Sequence, residues 1–554
     1  MRELELKFWL PLSLQDSLAR ESGEARVERV WSCYLDTPDG ALARARVAVR
    51  VRRQGEAWLQ TVKADHGDHF ERFEWERPIA GPEPQRDALP PEDTPQGALA
   101  HRTFGQWRPL FETDFERRAR VVEPTPGLAV EIAQDVGEIR CGERREPIRE
   151  VELECLRGSR AAFFEWALDW ATRARASLLL PTKNERGLRL AARLPLAPSP
   201  VKAGAVAPPP EAPVGEAAAS VLRACVAHAC ANVEPILSSD APEGPHQLRV
   251  ALRRLRAALR FFELREADPR WQEVDAQASA IADAAGRVRD LDVFEEGGLQ
   301  QLRERFAGDA AIETLSRAVL EARDAARMDL RRVVAGPQTT RFVLGALALA
   351  EALAAPVAQA SSPPSDTAGA TPEPSVTASP DPNDVHRGVA PPPGAAIDRG
   401  MRYGEFAGAR LHALLARVRR RANRARDDEG WHRTRLAVKT LRYAIEFARG
   451  ALPGGADPER AAVLLARWQE TLGAGQDLAA ARDVAADALS RPGVATEAAV
   501  RALALIDGWR AFSGPAVQPA RHARRTVRAL REALRDAAAA RRGDPPEAPA
   551  GRMR

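Results

Sequence analysis

The chain has 554 residues, and since a domain usually contains about 150 residues we expect two to four structural units. Its 81 basic and 77 acidic residues leave a formal net charge of +4, which excludes the global basic field of an indiscriminate DNA-binding protein. Five scattered cysteines, no signal-peptide pattern and no uninterrupted apolar run of about 18 residues predict a cytoplasmic protein with no nucleic-acid or membrane partner.

Residues 1–197 are predicted to form a mainly antiparallel β domain with a few helices, one of them at about 159–175. Turn sequences such as Thr37-Pro38-Asp39-Gly40 separate short segments of alternating polarity. The predicted strands are 3–10, 45–53, 57–63, 70–77, 115–123, 128–133 and 148–156.

Charged side chains gather on one face of these strands. In the first strand Glu3, Glu5 and Lys7 point together while the leucines between them point the other way. The same spacing recurs in Arg50-Val51-Arg52 and in Glu152-Leu153-Glu154. Two architectures fit: a sheet with a solvated charged face, or a closed barrel whose charged interior holds a polyanion and divalent metal. The pattern alone leaves both open.

The ordered motifs of this region resemble the CYTH family, the triphosphate tunnel metalloenzymes. The resemblance covers nearly 190 residues. It includes Glu3-Leu4-Glu5-Leu6-Lys7, Tyr34-Leu35-Asp36-Thr37-Pro38, Arg50-Val51-Arg52, Thr61-Val62-Lys63, Arg72-Phe73-Glu74, Thr113–Arg117, Glu131–Gly137, Glu150–Glu154 and Lys183–Gly187. It implies an eight-stranded antiparallel β-barrel tunnel that hydrolyses a terminal phosphoanhydride of a triphosphate.

The resemblance also implies residue roles. Catalysis would depend on Glu3, Glu5, Lys7, Glu152 and Glu154. The triphosphate would be held by Lys7, Arg50, Arg52, Lys63, Arg72, Arg117, Lys183 and Arg186. Mg²⁺ or Mn²⁺ would bind Glu3, Glu5, Glu152 and Glu154, with Glu131 and Asp135 as further ligands. For each basic residue the alternative is an ion pair that stabilises the barrel.

A Pro/Ala/Gly-rich linker at 198–213 leads into a helical domain at 214–541, where Leu, Ala and Arg recur at 3.6-residue spacing. A Ser/Pro/Thr/Ala-rich stretch at about 356–396 is predicted to be a disordered insertion between two repeats, 214–355 and 397–541. Residues 542–554 are predicted to be a disordered tail.

The two repeats carry the same basic stripe. Histidine is followed by basic residues at steps of 3, 4 and 3 in both, which indicates an internal duplication. On a helix the first stripe spans an arc of about 80° beside an apolar stripe. The members are His246, Arg249, Arg253 and Arg256, and His432, Arg435, Lys439 and Arg442. The alternative is a solvated helix flank.

These stripes, together with Val288–Val293 and Leu472–Asp477, resemble the CHAD family, the conserved histidine α-helical domains. The resemblance implies two four-helix bundles with a basic surface between them that binds inorganic polyphosphate. A further basic run near the C-terminus, Arg521, His522, Arg524, Arg525 and Arg528, is a candidate extension of that surface.

The sequence therefore predicts a multidomain α+β protein: a metal-dependent inorganic triphosphatase that converts tripolyphosphate or a related triphosphate to phosphate and diphosphate, joined to a polyphosphate-binding module. One alternative is a non-catalytic polyphosphate-binding protein associated with polyphosphate granules. An adenylyl cyclase or thiamine triphosphatase is another. The oligomeric state and the choice between Mg²⁺ and Mn²⁺ stay open.

Overall fold

The computed structural model describes residues 2–11, 25–65, 70–195, 197–355, 398–452, 456–512 and 519–534. The predicted insertion at 356–396 and the predicted tail at 542–554 lie outside the described residues. Within the described part, all strands precede residue 180 and every element from Val214 onward is helical.

Eight antiparallel strands close into a barrel. Their spatial order is β5-β4-β3-β2-β6-β7-β8-β1, and β1 also pairs with β5, so the sheet returns on itself. A two-residue strand, β9, pairs with Phe8 and Trp9 at the end of β1, on the edge opposite β8. The bounds are β1 Arg2–Trp9, β2 Arg26–Asp36, β3 Val47–Gln54, β4 Ala57–Asp65, β5 Glu71–Ile79, β6 Arg108–Thr125, β7 Leu128–Cys141, β8 Arg144–Arg157 and β9 Ser177–Leu178.

Alternation did not predict β2, which only the family motif Tyr34–Pro38 indicated. This strand carries polar and apolar side chains on both of its faces, as Ser32 beside Tyr34 on one face and Arg29 beside Trp31 on the other show. Because neither face is uniformly apolar, period-two reasoning finds no signal there.

The barrel is apolar outside, whereas its interior is charged except for an apolar cluster around Phe115 and Ile148 on the side covered by the helix at Lys183–Leu190. On β1, Leu4, Leu6 and Phe8 are buried against the helix at Arg160–Arg173. On the far side, Val49 and Val62 belong to a second cluster around Trp107. With the outer face covered by apolar packing, the alternate charged residues must face the interior. The closed barrel, and not the solvated sheet, is confirmed.

The helices are numbered here in chain order. They are α1 Ala41–Arg44, α2 Pro95–Thr103, α3 Arg160–Arg173, α4 Lys183–Leu190, α5 Val214–Ala231, α6 Val233–Ser238, α7 Glu243–Phe261, α8 Leu264–Ala267, α9 Pro269–Val293, α10 Gln300–Arg305, α11 Ala310–Val334, α12 Pro337–Ala354, α13 Tyr403–Arg424, α14 Asp428–Phe447, α15 Pro458–Leu489, α16 Thr496–Phe512 and α17 Pro519–Ala533. A π-helical turn, Phe294–Leu299, joins α9 to α10.

The helical part forms two four-helix bundles, as predicted. One contains α5, α7, α9 and α12, and the other contains α13, α14, α15 and α17. The bundles meet where α7 packs on α14, and α11 packs on α15 and α16. The two segments that lead into the bundles pair in antiparallel orientation. The Val214 N–H donates to Met401 O at 2.9 Å, and the Tyr403 N–H donates to Ala212 O at 2.8 Å.

The barrel and the first bundle share one hydrophobic core. Helix α3 of the barrel packs along α12 of the bundle. Arg160 pairs with Glu71 of β5 at 2.7 Å and with Glu351 of α12 at 3.2 Å. The backbone of Leu178 donates to Thr340 Oγ1 at 2.7 Å. These contacts fix the barrel on the bundle.

Residues 214–238, which span α5 and α6, are long and apolar enough to cross a membrane by length and composition, and 67% of their most apolar window is buried in the bundle. Helices α11 and α12, bent by 50°, pass the same test together. A buried core helix also passes it. Arg223 interrupts the apolar run of residues 214–238, so the sequence pattern did not predict this segment as a candidate.

Helix α4 is seated against the barrel wall. A capping box, in which Thr182 and Glu185 exchange hydrogen bonds, fixes its first turn. Gly187 lets it approach β6, because a Cβ at this position would lie 2.1 Å from the Phe111 ring. The close contact holds Lys183 and Arg186 at the barrel.

We expect Gly187→Ala to lower the free energy of unfolding by about 1–3 kcal/mol, since overpacking against Phe111 outweighs the better helix propensity of alanine. Gly105→Ala is the matched control because its Cβ would meet nothing within 4 Å. Chemical denaturation of both variants measures the difference. Equal stability of the two would contradict the packing account.

Candidate functional site

The strand register brings the predicted tunnel residues together. Glu5 on β1 lies opposite Glu154 on β8, and Glu154 lies opposite Glu131 on β7. Two positions along, Lys7 lies opposite Glu152. Because opposed residues share a face of the sheet, these side chains line one interior surface. The same register places Arg50, Arg52, Lys63, Arg72, Glu74, Glu76, Arg117, Asp135 and Glu150 on that surface.

Two guanidinium groups on β3 have unused donors. Arg50 is oriented by Tyr34 Oη at 3.3 Å and lies 4.0 Å from Glu74, while Arg52 lies 3.8 Å from Glu76. Nη2 of Arg50 and Nε of Arg52 are buried without a hydrogen-bond partner in the described part of the chain. A buried donor left unpaired costs about 1–3 kcal/mol. These donors fit an anion that accepts from both.

Two interior lysines pair with the carboxylates of β1. Lys7 Nζ lies 2.8 Å from Glu5, and Lys63 Nζ lies 2.6 Å from Glu3 and 3.2 Å from Glu74. Burial alone would lower the pKa of Lys63, but Glu3 and Glu74 raise it well above the usual lysine value. Lys63 therefore stays charged, which a phosphate ligand requires.

At the α4 side of the tunnel, three carboxylates share two cations. Lys183 Nζ lies 2.7 Å from Asp135 and 2.8 Å from Glu152, and it also contacts Glu150. Arg117 donates to both oxygens of Asp135 at 2.7 Å and contacts Glu152. Within the described ranges, Asp135, Glu150 and Glu152 are the one carboxylate triad whose oxygens lie within 4.8 Å of each other. We call this set the ion-pair cluster.

Glu150 was not among the predicted site residues. Its side chain is fully buried and pairs with Arg186 at 2.8 Å as well as with Lys183. Its signal in the sequence was the spacing of two residues that it shares with Glu152 and Glu154. Glu150 thus holds Lys183 and Arg186, two of the predicted phosphate ligands, in position.

The carboxylates divide into a neutralised and an uncompensated group. Burial opposes ionisation of Glu152, but Lys183 and Arg117 hold its pKa well below the usual value. Glu154 shows the reverse: burial, together with Glu3 and Glu5, raises its pKa to about 8. Glu131 adds to this repulsion. Glu154 forms no ion pair with any described residue. An all-oxygen cluster short of positive charge has the donor chemistry that Mg²⁺ and Mn²⁺ prefer.

The predicted basic stripes of the two repeats meet where α7 packs on α14. We call this surface the seam. Burial and the neighbouring charges of Arg435, Arg253 and Arg249 lower the pKa of Lys439 to about 8. Because Arg249 and Arg253 belong to the first repeat and Lys439 to the second, one positive field covers both stripes. Arg442 also lies within this field.

Not every stripe residue is equally available. Arg249 pairs with Asp290 at 2.7 Å, and Arg256 pairs with the buried Asp275 at 2.9 Å, which is the ion-pair alternative for Arg256. Burial and Arg289 lower the pKa of His246, so this imidazole is uncharged at neutral pH. His432, on the second stripe, is exposed.

An ion pair that the sequence did not predict joins the two halves of the seam. The buried Arg254 of α7 reaches Glu446 of α14 at 2.5 Å. This ion pair joins α7 to α14, the two helices that carry the basic stripes. It therefore restrains the position of one stripe relative to the other. In the sequence Arg254 resembled its neighbours Arg253 and Arg256 and carried no distinguishing signal.

We expect Glu150→Gln to lower the free energy of unfolding by about 3 kcal/mol, because it leaves Lys183 and Arg186 buried with one counter-charge fewer. Glu146→Gln is the control, since Glu146 also pairs with Arg186 but is 36% exposed. It should cost less than about 1 kcal/mol. Urea denaturation compares the two, and equal losses would show that Glu150 carries no special role in the ion-pair cluster.

Comparison with known proteins follows the same division of the chain. The CYTH domain model matches residues 1–186, and the CHAD domain model matches residues 220–486. An inorganic triphosphatase of Haemophilus influenzae is 30% identical over 142 residues, which are 24% of this chain and 38% of that protein. This chain therefore matches well under half the length of that relative.

Solved structures give two further likenesses. The crystal structure of the CHAD domain from Ricinus communis is 25% identical, with 61% of this chain and 96% of that chain covered and a TM-score of 0.44. A Hippeastrum structure, described as an adenylyl cyclase with a dominant triphosphatase activity, is 17% identical, with 35% and 97% covered and a TM-score of 0.25.

Proposed function

Because the chain contains a CYTH domain followed by a CHAD domain, we propose that it is a metal-dependent inorganic triphosphatase whose helical part binds inorganic polyphosphate. The substrate would be tripolyphosphate or a related triphosphate, and the products would be phosphate and diphosphate. One observation carries this proposal: a single closed interior holds both unpaired guanidinium donors and, at Glu154, a carboxylate whose ionisation is opposed by burial and by Glu3 and Glu5. A metal-bound triphosphate would give the guanidinium donors an acceptor and give the carboxylate a positive charge.

The basic residues of the tunnel would hold the phosphates. Arg50 and Arg52 offer buried donors, and Lys63 lies between two carboxylates from which it can turn to a phosphate oxygen. Lys183 and Arg117 are held in place by the ion-pair cluster. Positions fixed in advance lower the entropy cost of orienting the substrate. Lys7, Arg72 and Arg186 would complete the set.

Glu154, which forms no ion pair with a described residue, and the lysine-paired Glu3 and Glu5 offer oxygen ligands for a divalent cation. Mg²⁺ or Mn²⁺ would be held by Glu3, Glu5 and Glu154, with Glu131 nearby, and when bound it supplies charge neutralisation and an acidified water. Asp135 and Glu152 already neutralise Lys183 and Arg117, so we assign them mainly to positioning those cations.

The reaction needs no protein nucleophile. Attack of water on the terminal phosphorus forms one P–O bond and breaks the bridging P–O bond, so negative charge moves to the departing diphosphate. Guanidinium and ammonium groups that already line the tunnel stabilise this charge, and positioning with electrostatics suffices for phosphoryl transfer.

The proposal is tested by phosphate release from tripolyphosphate, ATP, thiamine triphosphate and long-chain polyphosphate, with Mg²⁺, Mn²⁺ or a chelator. We expect tripolyphosphate turnover that the chelator abolishes. Turnover of none of the four would leave the non-catalytic alternative, in which the barrel only captures phosphate chains. Preferential production of cyclic AMP from ATP would favour a cyclase.

Glu5→Gln and Glu154→Gln should each lower turnover at least about 100-fold, because they remove oxygen ligands from a site that depends on metal for several kcal/mol of charge stabilisation. Glu123→Gln, which alters an exposed carboxylate paired with Arg157 on the rim of the barrel, is the matched control. Wild-type, metal-dependent rates in the first two variants would refute the assignment.

Polyphosphate binding at the seam should weaken as pH rises from 7 to 9. Lys439 has a pKa of about 8, so it is mostly charged at pH 7 and mostly neutral at pH 9. Each phosphate contact contributes at most about one unit to the slope of log affinity against log salt, so this slope should fall by less than one over the same range. Lys439→Arg, which keeps its charge, should bind equally at both pH values. Parallel pH profiles for the two proteins would contradict a role for Lys439.

A further inference from the structure

The two bundles differ at one equivalent helix pair. In the first bundle α5 packs closely on α12, both helices are apolar and largely buried, and α3 of the barrel packs on α12. Their counterparts in the second bundle, α13 and α17, stay further apart and leave a groove of about 320 Å³. The groove is lined by Arg419, Ala422 and Asn423 of α13 and by Ala523, Arg524, Val527, Arg528 and Arg531 of α17.

The helical spacing makes both walls of the groove basic. On α17, Arg524, Arg528 and Arg531 follow one another at steps of four and three and share a face. Arg419 stands on the opposite wall. The lining contains no carboxylate. Arg528 lies 3.7 Å from Glu532 one turn on, at an exposed site, whereas Arg419, Arg524 and Arg531 form no ion pair with any residue that the structure describes.

The groove is separate from the seam. Arg417 and Arg421, two positions before and after Arg419, lie about 200° around α13 from it. Arg421 Nη1 donates to Arg433 O of α14 at 3.0 Å, and Arg417 lies close enough to Arg260 of α7 that its charge adds to the burial that lowers the pKa of Arg260. The seam side of α13 and the groove side therefore face different directions.

We propose that the α13–α17 groove is a second binding site for inorganic oligophosphate chains, independent of the seam. Four exposed guanidinium groups around one groove create a local positive potential that attracts an anion, and their planar forks match phosphate oxygens. The volume lies at the lower end of the range for ligand pockets, about 300–1,000 Å³. The inference adds a site to the proposed polyphosphate binding and does not require activity of the barrel.

The apolar lining argues for a phosphate chain without bases. Sites for single-stranded nucleic acid combine a basic groove with aromatic side chains on which bases stack. Here the apolar members are Ala422, Ala523 and Val527, which offer no stacking surface. An inorganic chain needs only the guanidinium groups.

The test uses the full chain in a chelator, so that the metal-dependent barrel does not consume the ligand. Calorimetric titration with short-chain polyphosphate should resolve two classes of site. Arg524→Gln with Arg531→Gln should weaken one class at least tenfold and leave the other, because two charge-assisted contacts are lost. Arg419→Gln, on the opposite wall, should weaken the same class. Arg460→Gln with Arg467→Gln removes the same charge from exposed positions of α15 and should weaken neither.

The outcomes separate this site from the seam. Arg253→Gln with Lys439→Gln should weaken only the other class; loss of all binding in that variant would overturn the groove and leave the seam as the single site. Groove variants that bind like the α15 control would also overturn it. Tighter binding of an oligothymidylate with the same number of phosphates would reject the inorganic chain in favour of nucleic acid. Circular dichroism confirms that each variant is folded.

Discussion

The fold depends on burying charge inside a closed barrel. Carboxylate, ammonium and guanidinium groups lose hydration there, and each ion is tolerated only where an opposite charge and hydrogen bonds replace the water. At the ion-pair cluster this condition is met within the protein, because Lys183 and Arg117 neutralise Asp135 and Glu152. At Glu154 and around Arg50 and Arg52 it is not met. The two unmet regions have opposite sign, which is why a metal-bound polyanion satisfies both.

The two bundles of the helical part are duplicated, but their equivalent helix pairs have different surroundings. The α5–α12 pair of the first bundle is apolar and receives α3, so it holds the barrel. The groove of the equivalent pair in the second bundle is lined with arginine, and none of its lining residues belongs to the barrel. Between the bundles the buried Arg254–Glu446 pair sets the position of the basic stripes. The barrel is thus attached to a helical part that carries two basic regions, the seam and the α13–α17 groove.

The sequence predicted the parts of the structure that follow from local spacing. Alternation in β1 and β8 assigned Glu5 and Glu154 to one face, and equal spacing in the repeats predicted that the two stripes would correspond. Closure through the β1–β5 pairing was not derivable from alternation, since an open sheet shows the same period. Arg253 and Arg256 were indistinguishable in sequence, although Asp275 of α9 forms an ion pair with Arg256. The raised pKa of Glu154 likewise depends on three strands that only the fold brings together.

If a divalent cation and a triphosphate complete the same charged interior, the binding of one must strengthen the binding of the other. The direct measurement is Mn²⁺ binding to the full chain, followed by electron paramagnetic resonance, with and without a non-hydrolysable imido analogue of tripolyphosphate and corrected for their complex in solution. Each ligand should strengthen binding of the other by about tenfold or more in the wild type, and the coupling should be lost in Arg50→Gln with Arg52→Gln. Mn²⁺ affinity that the analogue leaves unchanged in the wild type would contradict the account.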